Sequence, residues 1–558
     1  MLTKIPKQFY YFLAAILALN IMQSFFTELI YDEAYYWYYS QNMAWGYFDH
    51  PPMVALLVKL SSLFFNGELG VRFISCLLSV ANMLVLWLLI EHPKKNGFIP
   101  HFFVLVFSMT LLNAYGFFTL PDTPLLFFTS CFLWVYKKFV ERPSLGLSVL
   151  LGLVMAALMY SKYHAVLVIL FVLLSNLKLV KNKYAWYAVV IALACYAPHF
   201  HWLYQQDFVS INYHISERPN GAYNFEKYTL GFFLNLVAIF GLTFPFIYQA
   251  LFKSKADSLF NKALLFLTYG VVLFFFISSF NRRVQTQWII IICIPMVVLV
   301  FQYMLANKKN AQWIYRLGLV NIIIILYLRL GLVHQPLLFN IYYETHGNKE
   351  WVSKVAKEAE DNPVVFENSY RNAPMYQFYS GNTSYSLNNV QYRKNQYSID
   401  NSEETVRSKD VLYISKYAKE WPFVFTKMTG GKYHGKYIEN FNSYRKLQCI
   451  VDFGITGINT GKPLNLKIYN PYNFEIPLSQ LQVGVAYLDR YKKVKDLKPV
   501  IVETVKRETK LLQAKDTTYF NLRIPISTKV KNPTYFRVVI SENNLYFGLN
   551  GKPIPLPQ

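Results

Sequence analysis

The chain reads as a polytopic α-helical membrane protein of about eleven spans with a soluble C-terminal α/β plus β-sandwich region. Three observations predict this. Of 558 residues, 54% are hydrophobic and 18% aromatic, with a mean hydropathy of +0.23, too apolar for a soluble protein of this size. Apolar runs of spanning length recur up to about residue 333 and then stop. Beyond that point the pattern is polar, with short alternating segments divided by turn residues.

The first run, Tyr10 to Phe26, lacks an Ala-x-Ala-type cleavage site and leads straight into acidic residues, so it reads as a retained span. The expected spans are 10–27, 71–90, 99–118, 123–140, 145–160, 164–180, 184–203, 229–252, 263–280, 287–306 and 312–333. Lysine and arginine alternate between loops. Lys94, Lys95, Lys137, Lys138, Arg142, Lys178, Lys181 and Lys183 fall on one side with the N-terminus. Few cations fall on the other. The positive-inside rule places the N-terminus inside and everything after about residue 335 outside. Residues 1–334 form the expected membrane domain, 335–445 a mixed α/β region and 446–558 a β-rich domain. In the tail a helix is expected over 349–360 and a strand over 363–367. Further strands are expected over 448–453, 464–469, 482–488, 500–505, 518–524 and 535–541, with turns at Asn459-Thr460-Gly461 and Asn470-Pro471.

Composition also excludes some classes. The formal net charge is +23, but much of it lies on the polar tail and no nucleic-acid module is present. Cys76, Cys131, Cys195, Cys293 and Cys449 contain no CxxC pair, so neither a disulfide framework nor a thiolate metal site is indicated.

The chemistry concentrates where the first span ends. Asp32 and Glu33 follow it directly, and acids beside lipid are costly enough to suggest function. A carboxylate there can act as general base toward an acceptor hydroxyl or amine, and Asp32 is the first candidate with Glu33 beside it. The alternative is a helix cap. Asp49-His50-Pro51-Pro52 follows; Asp and His both suit a divalent cation, and the alternative is a polar turn held by two prolines. Asp122, in Pro121-Asp122-Thr123-Pro124, is the third acid, open to catalysis or to capping the next helix. Lys162, Arg218, Arg282 and Arg283 lie on the side where cations are disfavoured. A lipid phosphate would explain them; snorkelling toward headgroups is the alternative. His214 is a further candidate metal ligand or acid.

These residues resemble a known family. Asp32-Glu33-Ala34-Tyr35-Tyr36, Gly46-Tyr47-Phe48-Asp49-His50-Pro51-Pro52, Pro121-Asp122 and Ser161-Lys162-Tyr163 look like the polyprenyl-phosphate-dependent sugar transferases of the GT-C superfamily. Within it they are nearest the group of the lipid A aminoarabinose transferase and the protein O-mannosyltransferases. The resemblance covers about residues 1–333. It implies an inverting transfer from an undecaprenyl-phosphate sugar to an envelope acceptor (lipid A, protein or glycan) at the outer face of a bacterial inner membrane, with the tail periplasmic. By carry-over Asp32 takes the catalytic acidic position, and Asp49 an acidic position near a divalent-metal site with His214 the candidate histidine partner. Lys162 and Arg218 surround the donor phosphate. The chain departs from the aminoarabinose enzymes at His50, where they have Lys, and at Gln287, where they carry a Tyr nearby. A transporter or flippase of lipid-linked sugars is the competing class; its polar residues should line a path across the bilayer midplane. Here they cluster at one face.

Overall fold

A computed structural model describes residues 5–217, 221–339, 341–452, 463–506 and 509–556. Arg218, Phe453 and the turn at Asn459-Thr460-Gly461 lie outside the described residues. The chain divides into two compact units. The first comprises residues 1–208 and 222–346, the second 209–221 and 347–558.

The first unit is helical. Its elements are α1 (Lys7–Phe26), α2 (Tyr31–Gln41), α3 (Met53–Ser61), α4 (Gly67–Leu89), α5 (Ile99–Phe107), α6 (Thr110–Ala114), α7 (Asp122–Glu141), α8 (Leu145–Ser161), α9 (Ala165–Ser175) and α10 (Lys183–Gln205). The short α11 (Val209–Asn212) belongs to the second unit. Then follow α12 (Gly231–Ala238), α13 (Phe244–Lys253), α14 (Leu259–Ser278), α15 (Cys293–Ala306) and α16 (Lys308–Val333).

Among the described residues, four helices are long and apolar enough to cross a membrane: α1, α4, α14 and α16. In α1 and α16 only 28% of the apolar stretch is buried within the protein, which leaves faces such as Phe25, Phe26, Ile323 and Leu330 for lipid. Three expected spans are broken. That over 99–118 splits into α5 and α6, and that over 164–180 ends as a helix at Ser175 and continues as a 3-10 turn, Leu177–Lys181. The span over 229–252 bends by 95° between Glu226–Ala238 and Gly241–Lys253. Gly241 makes the bend possible. Its φ is +55°, and a Cβ there would lie 2.6 Å from the Asn321 amide. Unbroken apolarity in sequence does not report such breaks, because lipid and protein interior look alike to a hydropathy window.

The second segment of the second unit begins at 347, against an expected boundary at 335. Thr345 Oγ1 donates to the Leu332 carbonyl (3.1 Å) and His346 Nε2 lies 2.9 Å from the Gly331 carbonyl, so residues 335–346 stay with α16. Helices α17 (Asn348–Ala359) and α18 (Asn372–Ser380) accompany strands β1 (Val364–Glu367), β2 (Ser384–Leu387), β3 (Lys409–Ser415), β4 (Phe423–Thr426) and β5 (Lys432–Phe441). These strands form one sheet ordered β2-β1-β3-β5-β4, parallel through β2, β1 and β3 and antiparallel beyond. The helix and strand expected at 349–360 and 363–367 are α17 and β1.

The remaining strands are β6 (Gln448–Asp452), β7 (Leu464–Tyr469), β8 (Ile476–Pro477), β9 (Gln482–Leu488), β10 (Val494–Pro499), β11 (Val502–Thr504), β12 (Leu511–Leu512), β13 (Thr517–Leu522), β14 (Tyr535–Ser541) and β15 (Ile554–Pro555). Two four-stranded sheets, β10-β9-β14-β15 and β11-β13-β7-β6, share one core of Val451, Leu466, Ile468, Val485, Phe520 and Val538. That is a sandwich, as the alternating pattern predicts. The pattern missed the two-residue strands β8, β12 and β15 and the longer β10, whose run Val494-Lys495-Asp496-Leu497-Lys498 loses alternation at a bulge after Val494.

Candidate active site

The acidic motif folds into the joint between α1 and α2. Glu33 stands in the first turn of α2 and accepts from the Ile30 amide (3.2 Å), closing the helix start. Its second oxygen accepts from the Thr119 amide (2.9 Å). Arg72 of α4 meets it bidentately, Nε to Oε1 at 2.8 Å and Nη2 to Oε2 at 2.5 Å. The same guanidinium donates to the carbonyls of Ser24, Thr27 and Glu28, groups the end of α1 leaves without helical partners. Both side chains are fully enclosed. Glu33, expected beside Asp32 in catalysis, is therefore a structural clamp. Its two oxygens accept from four donors.

Asp32 is half-buried one residue earlier, so the clamp fixes its position. The Tyr115 hydroxyl interacts electrostatically with both Asp32 and Asp122, and Tyr343 interacts with Asp32, Glu33 and Glu344. Partial burial raises the Tyr343 hydroxyl above its usual range, and the neighbouring carboxylates raise it further. Glu344 accepts from the Tyr31 amide (3.4 Å), which ties residues after α16 to the start of α2.

Asp122 begins α7, and Lys162 follows α8. Lys162 Nζ donates to both oxygens of Asp122 at 2.7 and 2.9 Å, and both residues are buried. The sequence assigned them separate tasks, acid and phosphate cation; the fold makes them one ion pair. Beside it Tyr163 meets His199 Nε2 (3.2 Å), while His199 Nδ1 donates to the Trp45 carbonyl (2.6 Å). That carbonyl requires a proton on Nδ1, which leaves Nε2 to accept from Tyr163.

The Asp49-His50 segment packs on α2. Asp49 accepts from the hydroxyls of Tyr35 (3.1 Å) and Tyr39 (3.4 Å), one helical turn apart, and Tyr39 stacks on Tyr47 at 4.2 Å. His50 meets Tyr36 edge-on at 5.7 Å. Gly46 lies against Trp202, whose ring a Cβ would approach to 2.3 Å. This is the polar turn that two prolines favour. His214 belongs to the second unit, beside Tyr213. Among the described residues no three His, Cys, Asp or Glu side chains gather as a metal ion would need. Asp49 and His50 belong to the first unit and His214 to the second. Arg282 and Arg283 follow α14, Arg283 exposed and Arg282 half-buried.

Sequence reasoning missed Arg329. It lies near the end of α16, buried, with Nη2 donating to Asn20 (2.8 Å), Nε to Gln23 (3.3 Å) and Nη1 to Asn113 (3.3 Å). Its guanidinium lies 4.4 Å from the centre of the Phe117 ring, and that of Arg72 lies 5.2 Å from Phe118. An arginine inside an apolar run was the available signal. Asn20 and Gln23 lie in the last two turns of α1, at the same end as Asp32. The buried polar groups of α1, α4, α6 and α16 therefore converge on one end of these helices.

A family model described as dolichyl-phosphate-mannose-protein mannosyltransferase matches residues 49–202. The lipid A galacturonosyltransferase RgtD of Rhizobium johnstonii is 26% identical over 280 residues, 47% of this chain; the chain spans 58% of that relative's length. The crystal structure of ArnT from Cupriavidus metallidurans in the apo state matches with a TM-score of 0.54 at 14% identity, over 73% of this chain and 92% of that one. The same protein bound to undecaprenyl phosphate matches with a TM-score of 0.53 at 13% identity, over 77% and 97%. The resemblance read from Asp32-Glu33 and residues 46–52 is upheld in the architecture: this chain shares the fold of the ArnT structures and has several helices long and apolar enough to cross a membrane.

Proposed function

We propose that the protein is an inverting glycosyltransferase of the bacterial inner membrane, moving a sugar from an undecaprenyl-phosphate-type donor to an envelope acceptor at the outer face. The observation that carries this reading is Asp32, held half-buried at the end of the first span next to the Glu33–Arg72 clamp. Asp32 takes the proton of the acceptor hydroxyl or amine. The freed oxygen or nitrogen attacks the anomeric carbon opposite the phosphate, the bond to the lipid phosphate breaks, and configuration inverts. Fixed cations stabilise the phosphate as it leaves. Lys162, Arg282 and Arg283 are the described candidates, and Arg218 is a further candidate from the sequence. Lys162 can share its charge with the donor only by loosening Asp122. The relatives' printed substrates, lipid A for one and undecaprenyl phosphate for another, support a lipid-linked donor and a lipid acceptor.

The purified full chain in liposomes with undecaprenyl-phosphate sugar tests this. A transferase releases undecaprenyl phosphate as glycosylated product forms; a flippase moves the donor intact. Transport without cleavage would remove the enzyme reading. Exposed Arg283 offers a cleaner probe of the phosphate than Lys162, whose loss strands Asp122. Arg283→Ala is expected to raise the donor KM about 10-fold or more, since a charge-assisted contact is worth about 1.5–3 kcal/mol. An unchanged KM means Arg283 only snorkels.

Sidedness has its own test. Reporter fusions at Lys95 and Lys181 are expected to read cytoplasmic, and a fusion after Val333 periplasmic. A cytoplasmic signal after Val333 would reverse the face on which Asp32 works.

A further inference from the structure

The β-sandwich carries a second polar site, distinct from the acids of the membrane unit. A cavity of about 370 Å³ opens at one end of it, within the size range of small-ligand sites. Gln482 and Ser541, partners on the last rung between β9 and β14, form its floor. Gln480 comes from the turn before β9, and its Oε1 accepts from the buried Tyr444 hydroxyl at 2.8 Å. Asn543 and Asn544 close the third side from a turn in which both have positive φ, a conformation asparagine tolerates. Asn543 Oδ1 accepts from the Asn442 amide (3.1 Å), which fixes that wall.

The lining is rich in amides and hydroxyls. Among the described residues, the side chains of Gln482 and Asn544 make no hydrogen bond, nor does Nε2 of Gln480. No lysine or arginine lines the cavity. Its carboxylate, Glu542, is enclosed and ion-paired with Arg445 at 3.1 Å. Side-chain amides present a donor and an acceptor on one rigid plane, which matches the vicinal hydroxyls of a sugar ring. An anion would find no counter-charge here.

We propose that this cavity binds a neutral sugar unit carried by the acceptor. This rests on the transferase reading above and adds to it the acceptor's chemistry and a place to hold it. Phosphates and uronic acids are disfavoured by the absence of a lining cation; neutral hexoses and N-acetylhexosamines are favoured.

The test uses the full chain in a detergent without sugar headgroups and saturation-transfer NMR. Galactose and N-acetylglucosamine are the probes, with galacturonate and glucose 1-phosphate as anionic counterparts. The neutral sugars are expected to show transfer and the anionic ones little. Gln482→Ala combined with Asn544→Ala, both exposed positions, should weaken neutral-sugar binding roughly 10-fold or more through lost hydrogen bonds. Gln448→Ala, exposed on β6 outside the cavity, should not. Absence of neutral-sugar binding, equal binding of anionic sugars, or full binding by the double variant would each overturn the proposal. Donor cleavage measured on the same wild-type preparation separates the two readings. Cleavage without sugar binding removes the cavity's role alone. Cavity-dependent binding without cleavage keeps the sugar site and removes the transferase.

Discussion

Asp32→Asn is expected to reduce turnover by roughly 10²–10⁴-fold while leaving the protein folded and able to bind donor. The amide is nearly the same size as the carboxylate but cannot accept the acceptor's proton. The loss should appear in kcat, because proton removal stabilises the transition state and not the bound substrate. Glu33 and Arg72 remain in place in this variant, so the α1–α2 joint keeps its geometry. Single-turnover transfer and donor binding on the same preparation check the result. Wild-type turnover would make Asp32 part of the helix start and would move the search for a base to Asp122.

Arg72→Ala is expected to destabilise the membrane unit by about 3–5 kcal/mol, the cost of leaving a fully buried carboxylate without its partner. It would also free the carbonyls of Ser24, Thr27 and Glu28 and the loop holding Thr119. Thermal unfolding in detergent measures the first effect. A second variant separates stability from positioning. Replacing the pair together, Arg72→Met with Glu33→Leu, removes both charges and should recover much of the stability. It does not restore the Thr119 amide's bond to Glu33 or the bonds from Arg72 to the carbonyls of Ser24, Thr27 and Glu28. Turnover is therefore expected to stay low in the recovered double variant. If turnover recovers with stability, the clamp does no more than hold the fold.

Much of this was legible in the chain. The apolar runs up to residue 333 set a membrane protein, because burying such stretches in water is costly and lipid is the solvent that suits them. Alternation in the tail gave β6, β7, β9, β13 and β14 nearly to the residue, since a sandwich strand must turn every second side chain inward. The Asp32-Glu33 motif pointed to the candidate site. Its spacing could not assign roles within the pair, because adjacent residues on a helix point about 100° apart and only the packing says which one faces protein. Tertiary structure decided that Glu33 faces Arg72, that Asp122 and Lys162 neutralise each other, and that Asp49 serves two tyrosines. It also placed Arg329 among the amides of Asn20, Gln23 and Asn113, residues some 200 to 300 positions away in sequence. Local pattern fixes which segments are helix, strand or membrane, because those depend on neighbours within a few residues. Which charge meets which depends on distant segments arriving at one place, and that is decided only by the packing of the whole unit.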